Sequence, residues 1–473
     1  MRITILGAGY VGLVSAACLA SSGHRVTCID TDADRIAMLQ RGEVPIHEPG
    51  LDALIAQASA DSRLHFTTAP ARAIASARIV MICVGTPSNP EGGAADLGFV
   101  FEAARSIARH ARNGTVVVTK STVPVGTGDR IETMIRQLRP DLTVDVVSNP
   151  EFLREGAAIT DFMKPDRIVI GAETTRANDW VAALYKGPTW KTTPILHVRR
   201  RAAEVIKYAS NAFLAVKLSF INEIADFCEA WDSDVDAVAC GIGLDSRIGP
   251  AFLQPGPGYG GSCFPKDLRA LIHSARERAI NLRIVEAADS VNAARRWAMG
   301  RRIPAALPGG VAGRRIAVLG LAFKADTDDL RESPALAVIT TLKHAGADLC
   351  LHDPEAMPGA RKRIAGVEFA DTAHDCLRGA DALILATAWS EYVALDPQTA
   401  AALMPGRDVF DLRNALPATP WQDAGFRVHR IGAPTPAVSP QLVPDPDPDI
   451  ATLAAHAAHG PNLQGMGAVH SHS

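Results

Sequence analysis

Short apolar runs alternate with stretches of helical periodicity along the first third of the chain. The apolar runs lie at 3–6, 79–84, 115–119, 144–148 and 168–170. Each is followed by glycine or by small or polar residues, which indicate a turn. Runs this apolar are typical of strands buried on both faces, which occur in parallel sheets that are covered by helices. The pattern therefore predicts an α/β fold with a doubly wound, parallel sheet.

Residues 200–231 break this alternation with one long helical pattern. The segment contains no Gly or Pro and carries apolar residues at helical spacing. At 1.5 Å per residue, such a helix is about 45 Å long, which suits a connection between two domains. Lys207 and Asn211 are four positions apart on it and therefore share a face. A second helical region is predicted around 265–300.

A second alternation of strands and helices begins near residue 314 and repeats the order of the first. Its opening loop, GLAFKADTDDLRES, lacks the GxGxxG spacing and offers Lys324 and Arg331 instead. Such cations suit phosphate groups. We therefore predict two Rossmann-like doubly wound domains that are joined by the long central helix and share an architecture but bind different ligands.

These patterns divide the chain into four parts, with predicted boundaries at 1–199, 200–300, 301–433 and 434–473. The last part is rich in proline and of low complexity, and it is predicted to be a disordered tail without a catalytic role.

Composition and charge narrow the class of protein. The 473 residues, of which 47% are hydrophobic and 21% charged, are enough for two or three domains. A net charge of −3 gives no reason to expect nucleic acid or an anionic membrane as partner. The eight cysteines are dispersed, without a CxxC pair or metal-ligand spacing, so we expect no metal, no disulfide framework and a cytoplasmic location.

Three glycines with the spacing GxGxxG follow the first strand and precede a helix: Gly7, Gly9 and Gly12. In dinucleotide-binding folds these glycines make the tight turn, admit a pyrophosphate and let helix and strand pack closely. Asp30 ends the next strand, where a carboxylate accepts hydrogen bonds from an adenine ribose. The motif therefore predicts NAD in preference to NADP. NADP remains the alternative, because Arg35 is close enough in the sequence to pair with a 2′-phosphate.

The stretch GPGYGGSCFPKD at 256–267 carries the strongest chemical signal. It places Cys263 after closely spaced glycines, which let a backbone approach a ligand, and just before Lys266 and Asp267. A neighbouring cation favours the reactive thiolate, so Lys266 is expected to activate the sulfur. A lone cysteine in such a turn is more often a buried structural residue, but the dinucleotide motif favours a covalent catalyst.

Polar residues follow three of the predicted strands, in the segments 85–87, 121–124 and 149–151. The carboxyl ends of strands in an open α/β sheet face one ligand-binding crevice, so these loops should converge. Glu151, Arg154 and Glu155 cluster after one strand end. Glu151 is therefore a candidate acid or base.

Together, seven motifs resemble those of the UDP-glucose/GDP-mannose dehydrogenase family. They are GAGYVG (7–12), EPGL (48–51), CVGTP (83–87), STVPVGT (121–127), NPEFLREG (149–156), GPGYGGSCFPKD (256–267) and FKADTDDLRESP (323–334). The resemblance covers about 1–430 and implies a four-electron oxidation of a nucleotide sugar at C6, with NAD. It also implies an N-terminal NAD-binding domain, a central dimerisation domain and a C-terminal UDP-sugar-binding domain.

The resemblance implies a role for each catalytic residue. Cys263 would capture the aldehyde as a thiohemiacetal and later hold a thioester. Lys207 and Asn211 would stabilise the oxyanion of that adduct. Lys207 is also a possible base in the first oxidation, and the two roles stay open.

The remaining roles concern water and ligand contacts. Asp267 and Thr122 would position a water, and Glu151 would act as acid or base in thioester hydrolysis. The implied cofactor contacts are Gly7, Gly9, Tyr10, Val11, Gly12, Asp30, Arg35, Thr86, Thr122, Glu155, Lys266 and Arg331. The implied substrate contacts are Glu151, Phe152, Leu153, Arg154, Glu155, Lys207, Asn211, Arg247, Phe252, Leu253, Gln254, Gly258, Tyr259, Gly260, Phe323 and Lys324.

Two of these positions carry special expectations. Arg247 matches an arginine that reaches the substrate of the neighbouring subunit, which requires the long helix to build a homodimer. Gln254 departs from the pattern, because some members of the family carry a lysine there.

Several alternatives remain from the sequence. Phe264 and the motif NPEFLREG favour UDP-glucose as substrate, with GDP-mannose or UDP-N-acetylmannosamine as the alternative. A two-electron dehydrogenase of the hydroxyacid or 6-phosphogluconate type would share the first domain but would not need Cys263. A non-catalytic NAD-sensing protein could retain the glycines without keeping Cys263, Lys207, Asn211 and Asp267 together.

Overall fold

The computed structural model describes residues 1–89 and 93–433, and the predicted tail at 434–473 lies outside the described residues. The strands are β1 (Arg2–Leu6), β2 (Arg25–Ile29), β3 (Leu64–Thr67), β4 (Ile79–Ile82), β5 (Val116–Thr119), β6 (Asp145–Ser148), β7 (Ile168–Gly171), β8 (Ile195–Val198), β9 (Arg315–Leu319), β10 (Asp348–His352), β11 (Glu368–Phe369), β12 (Ala382–Leu385), β13 (Asp408–Asp411) and β14 (Arg427–Arg430).

The α-helices are α1 (Tyr10–Ser21), α2 (Ala33–Gln40), α3 (Leu51–Ala60), α4 (Pro70–Ser76), α5 (Gly98–His110), α6 (Thr127–Leu138), α7 (Ala158–Met163), α8 (Thr175–Ala182), α9 (Arg200–Ala230), α10 (Val235–Gly243), α11 (Phe264–Arg276), α12 (Arg283–Ala306), α13 (Pro334–His344), α14 (Met357–Arg363), α15 (Ala373–Leu377), α16 (Ser390–Val393), α17 (Pro397–Leu403) and α18 (Ala418–Asp423). None of the helices among the described residues is long and apolar enough to cross a membrane.

The first eight strands form one sheet, in the order β3-β2-β1-β4-β5-β6-β7-β8. Strands β1 to β6 are parallel, whereas β7 runs antiparallel to β6 and parallel to β8. The prediction of a wholly parallel sheet was therefore wrong at β7. An apolar run does not encode the direction of its strand, and the β6–β7 connection holds only the six-residue helix α7, which packs on α1.

Helices cover both faces of this sheet, which explains why its strands are apolar at every position. On β4, Ile79 and Met81 face the core beneath α1, while Val80 and Ile82 face the core beneath α5 and α6. The alternation of side chains along a strand thus places four consecutive apolar residues in two different cores.

The long helix α9 connects this sheet to the rest of the molecule. Its 31 residues run from β6 and β7 to α10, α11 and α12, against which it also packs. Arg200, at its start, pairs with Asp129 and Glu132 of α6 at 2.8 and 2.6 Å. These buried contacts fix the helix relative to the strand ends of the first sheet.

The second sheet has the order β11-β10-β9-β12-β13-β14, and all of its strand pairs are parallel. Its edge strand β11 spans two residues, too short to leave a pattern in the sequence. With two Rossmann-like sheets and a long helix between them, the predicted α/β fold class is confirmed.

Candidate active site

The glycine turn after β1 has the geometry that a dinucleotide needs. Gly7 has a φ of 105°, in the region that favours glycine, and a Cβ at Gly12 would collide with the Gly7 carbonyl. Nothing lies within 4 Å of the position that a Cβ of Gly9 would take. The space beside Gly9 is therefore open for a pyrophosphate, next to the N-terminus of α1.

Asp30 follows β2 beside this turn. Its carboxylate accepts the N–H of Ala8 at 2.7 Å and the N–H of Asp32 at 3.0 Å. Arg35 Nη1 lies 3.4 Å from Asp30 Oδ2, and Arg35 also pairs with Asp32 at 3.7 Å. The guanidinium thus already faces carboxylates, whereas a 2′-phosphate would have to lie beside Asp30. This arrangement favours NAD over NADP.

Tyr10 and Glu48 tie the start of α1 to the loop after β6. The Tyr10 hydroxyl hydrogen-bonds to the Glu48 carboxylate, which also accepts the N–H groups of Gly156 and Ala158, both at 2.7 Å. The Tyr10 hydroxyl therefore makes an internal contact. No role was predicted for Glu48 from the sequence, where it appears only within the EPGL motif, because its partners are distant along the chain.

Two cavities meet at Cys263, on the turn that leads into α11. The first has a volume of about 750 Å³, and its lining includes Glu151, Phe152, Lys207, Asn211, Phe252 and Cys263. The second has a volume of about 550 Å³, and its lining includes Glu155, Phe252, Gln254, Cys263, Phe323 and Lys324. The thiol therefore lies at the junction of the two spaces, within reach of a ligand that enters from either.

Lys266 lowers the pKa of Cys263, as predicted, but other effects outweigh it. Lys266 Nζ lies 2.5 Å from Asp267 Oδ1, so its charge is already paired. Burial raises the pKa of Cys263 to about 11; Glu151 and Asp267 add to this effect, and Lys207 and Lys266 oppose it. The free protein therefore holds Cys263 as a thiol at neutral pH, which must lose a proton on reaction.

Lys207 and Glu151 form a buried ion pair beside this cysteine, with Nζ 3.0 Å from Oε1. Burial alone would lower the pKa of Lys207, but the charges of Glu151, Cys263 and Asp267 raise it overall. Burial alone would raise the pKa of Glu151, but Lys207 and the Leu153 N–H lower it overall. The pair is thus an ammonium and a carboxylate, which suits Lys207 as a donor rather than a base.

Asp267 gathers two further predicted residues. Asn211 Nδ2 donates to Asp267 Oδ2 at 2.6 Å, and Lys266 holds the other oxygen of this buried carboxylate. Asn211 and Lys207 project from the same face of α9, one turn apart, as their spacing predicts. Both amide and ammonium groups can donate to an oxygen atom between them.

Thr122 lies in the loop after β5, where its carbonyl accepts the hydroxyl of Thr86 at 2.9 Å. Both threonines are buried, and this bond joins two of the loops that the sequence predicts to converge. The loop after Thr122 is held from α9, because Glu204 accepts the N–H groups of Gly126 and Gly128 at 2.6 and 2.9 Å. The sequence assigned no role to Glu204.

Side chains of the long helices hold the glycine-rich loop. Asn222 on α9 accepts the N–H of Gly256 at 2.8 Å. Asn292 on α12 accepts the N–H of Tyr259 at 2.8 Å and donates to its carbonyl at 3.0 Å. A Cβ at Gly260 would collide with the carbonyl of Glu332, so glycine lets this loop touch the loop after β9.

The loop after β9 contributes the cations predicted for it. Lys324 lines the second cavity, and burial lowers its pKa. Arg331 pairs with Asp329 at 2.8 Å and lies 3.7 Å from Glu155, whose pKa is raised by burial and by Asp329. Glu155 accepts the hydroxyl of Ser262, next to Cys263, at 2.8 Å.

Arg413, after β13, lines the second cavity although the sequence singled it out for no role. It donates to the carbonyls of Ala386 and Phe323, both at 2.7 Å, and burial lowers its pKa to about 10. No motif marks this arginine, and it could only be found by assembling the second sheet. A half-buried guanidinium at this place can attract an anionic ligand.

Two predicted substrate contacts lie outside both cavities. The side chain of Leu253 packs in the core of the C-terminal half and lines neither space. Arg247 lies in the loop after α10, where its side chain is 87% exposed and pairs with Asp245 at 2.6 Å. Within one chain, Arg247 therefore belongs to the surface.

Three family models match consecutive parts of the chain. The NAD binding domain of the UDP-glucose/GDP-mannose dehydrogenase family matches residues 1–189, its central domain matches 201–294, and its UDP binding domain matches 317–418. The chain belongs to this dehydrogenase family. Its members bind NAD through the first of these domains, and the open space beside Gly9 in this chain fits that cofactor.

Named relatives of this dehydrogenase agree with the assignment. The chain is 50% identical over 436 residues to a UDP-glucose 6-dehydrogenase of Rhizobium meliloti, covering 92% of the chain and 100% of the relative. It is 41% identical to a UDP-glucose 6-dehydrogenase of Pseudomonas aeruginosa, covering 92% of the chain and 98% of the relative.

Solved structures of this dehydrogenase family have the same fold. A UDP-glucose dehydrogenase of Pyrobaculum islandicum is similar with a TM-score of 0.83 and 37% identity, covering 91% of this chain and 97% of that chain. A UDP-D-ManNAc dehydrogenase of Pyrococcus horikoshii gives a TM-score of 0.79 at 26% identity, covering 91% and 99%.

Proposed function

We propose that this dehydrogenase oxidises UDP-glucose to UDP-glucuronate, using NAD as the hydride acceptor in two successive steps. The position of Cys263 at the junction of the two cavities carries this proposal. The second cavity, with Lys324 and Arg413, suits an anionic diphosphate. The first, with Lys207 and Asn211, suits the sugar end and its reacting carbon.

In the first oxidation, the C6 alcohol loses a proton and a hydride and becomes an aldehyde. Cys263 then gives up its thiol proton and its sulfur adds to the aldehyde carbon, so that a carbon–sulfur bond forms, the carbon–oxygen π bond breaks and the oxygen takes up the proton as the hydroxyl of a thiohemiacetal. Lys207 and Asn211 would stabilise this oxygen, because both line the first cavity beside Cys263 and carry N–H groups that can donate to it. The raised pKa of Lys207 supports the role of donor over that of base.

In the second oxidation, the thiohemiacetal loses a hydride from C6 and the proton of its hydroxyl and becomes a thioester. Water then attacks the thioester carbon, which releases the carboxylate and restores the thiol. The lowered pKa of Glu151 keeps this carboxylate ionised at neutral pH, so it can accept the proton of the water. Asp267 and Thr122 would hold that water, while the predicted contacts that line the two cavities would orient the sugar nucleotide.

The ratio of NADH to acid tests this proposal. With UDP-glucose, the purified protein should form close to two NADH per UDP-glucuronate, because each hydride carries two electrons. Assays with GDP-mannose and UDP-N-acetylmannosamine in parallel identify the preferred sugar. A ratio near one would contradict the thioester route, and faster turnover of another sugar would replace UDP-glucose as substrate.

We further propose a homodimer that forms along α9. Phe213, Phe220 and Phe227 recur every seven residues on this helix, and each is about half exposed or more. A stripe with this spacing lies on one face and suits packing against a second helix. In such a dimer, the exposed side chain of Arg247 would extend into the partner subunit and complete the sugar site there.

Mixed dimers test this arrangement. The homodimers Cys263→Ala and Arg247→Ala should each have little activity, for different reasons. When the two are mixed under conditions that let subunits exchange, roughly a quarter of the wild-type activity should return, because half of the dimers contain one site with both residues. Sedimentation before and after mixing is the control, and absence of recovery despite exchange would contradict the shared site.

The division of labour that we propose follows the predicted boundaries. Residues 1–199 would bind NAD, 200–300 would form the dimer, and 301–433 would bind the UDP-sugar. A cytoplasmic location is proposed on the state of the cysteines, all eight of which are free thiols.

A further inference from the structure

A third, small cavity lies beside Lys207, between α9 and the ends of β5 and β6. Its volume is about 10 Å³, which is close to the space that a single water molecule needs. The residues around it include Thr119, Thr122, Ser148, Pro150, Glu204 and Lys207. Of the two residues proposed to hold the hydrolytic water, Thr122 borders this cavity, but Asp267 and the nucleophile Cys263 do not. A water inside it would therefore be separate from one held between Thr122 and Asp267.

Thr119 points to what fills this cavity. Thr119 is 2% exposed. Its hydroxyl oxygen is buried and has no hydrogen-bond partner in the part of the chain that the structure describes. A buried hydroxyl without a partner is costly, and ordered water is the usual remedy. A single water beside Thr119 would remove this cost.

The other polar groups around the cavity can each form a further hydrogen bond. The Glu204 carboxylate accepts the hydroxyl of Ser148 at 3.1 Å as well as two backbone N–H groups. The Ser148 oxygen donates in that bond and can still accept one. Burial raises the pKa of Glu204, so an additional donor would help to keep its charge.

Lys207 also has donors to spare. Its ammonium carries three N–H groups, and Glu151 accepts one of them at 3.0 Å. The proposed function gives a second to the oxygen on C6 of the sugar. The third N–H group of the ammonium then needs a different acceptor. Lys207 borders the small cavity together with Thr119 and Glu204, so an acceptor inside this cavity could receive it.

We propose that one water molecule binds in this cavity and bridges Thr119 and Glu204 to the ammonium of Lys207. The water accepts hydrogen bonds from Lys207 and Thr119 and donates to Ser148 and Glu204, so all four of its bonding positions are used. In this way it fixes the direction of the Lys207 ammonium toward the reacting carbon. Thr119 and Glu204 are thus positioning residues, and this role rests on the proposed function.

Thr119→Val tests the proposal, because valine keeps the shape of threonine and removes the hydroxyl. A crystal structure of the wild type should show one ordered water at this place, and Thr119→Val should lose it. The kcat should fall about tenfold with an unchanged KM for UDP-glucose, as for a lost hydrogen bond to a charged group. The alkaline limb of the kcat profile should move to lower pH, because Lys207 loses an acceptor that stabilises its charged form.

Three variants serve as controls. Thr119→Ser keeps the hydroxyl and should keep the water and the kcat. Thr4→Val makes the same change at a buried threonine of β1, whose hydroxyl donates to Ala73 at 3.0 Å, and measures the general cost. Ser148→Ala removes a second partner of the water and replaces Thr119→Val if that variant does not fold.

Electron density for a water in the small cavity tests the proposed water site without any measurement of enzyme turnover. Wild-type crystals without a water there would overturn it, even if the protein produces UDP-glucuronate as proposed. A Thr119→Val variant with unchanged kcat and pH profile would overturn the positioning role. Conversely, a protein that forms no acid from any nucleotide sugar would refute the proposed function, whereas an ordered water would still support the site.

Discussion

Cys263→Ala should bind UDP-glucose and NAD normally but form UDP-glucuronate at least about 10³-fold more slowly than the wild type. Without the sulfur, the aldehyde cannot become the tetrahedral adduct from which the second hydride leaves. The Sγ atom lies 3.4 Å from the hydroxyl of Ser262, and its residue lines both cavities, so alanine removes the sulfur without filling the ligand space. Calorimetric titration with UDP-glucose and an assay for the acid together measure the two effects.

Cys240→Ala is the matched control for this change. Cys240, on α10, is the second of the two cysteines that are not fully buried, and it lines neither large cavity. It should retain wild-type rates, which shows that the loss of a thiol as such does not matter. Normal acid formation by Cys263→Ala would remove the covalent route and leave a simpler dehydrogenase.

The sequence predicted the fold class well, because its signals are local. The strand–glycine–helix order at β1 and α1 needs only neighbouring residues, and so does the long pattern of α9. The direction of β7 was missed, since it depends on where the chain returns after the short helix α7. Strand direction is a property of the connection, whereas the apolar pattern reports burial alone.

In the candidate site, too, the features with local sequence signals were predicted, and those that depend on distant segments were missed. A motif named Cys263, whereas helical spacing and the family resemblance named Lys207 and Asn211 and placed these two on one face. The paired state of Lys266 could not be read from its position beside Cys263, because Asp267 takes its charge only after α11 has formed. Glu204 and Arg413 were missed altogether, since their partners come from segments that meet only in the folded molecule.

Glu151→Gln should separate the oxidation steps from hydrolysis. The carboxylate pairs with Lys207 and accepts the Leu153 N–H at 2.6 Å, and glutamine can keep the second contact but cannot take a proton from water. The variant should release close to two NADH per site in a burst and then turn over about 10²- to 10⁴-fold more slowly. The thioester should accumulate, and the mass of the intact protein should increase by one sugar-nucleotide acyl group.

Asp166→Asn is the control for the loss of one negative charge. Asp166 lines the same cavity as Glu151 but is exposed, whereas the ion-pair partner of Lys207 is Glu151. This variant should show neither a burst nor an adduct. If Glu151→Gln slowed the first NADH as much as the steady state, without an adduct, then Glu151 would act before the thioester. Its buried pair with Lys207 would in that case serve the oxidation steps, by holding the ammonium beside C6.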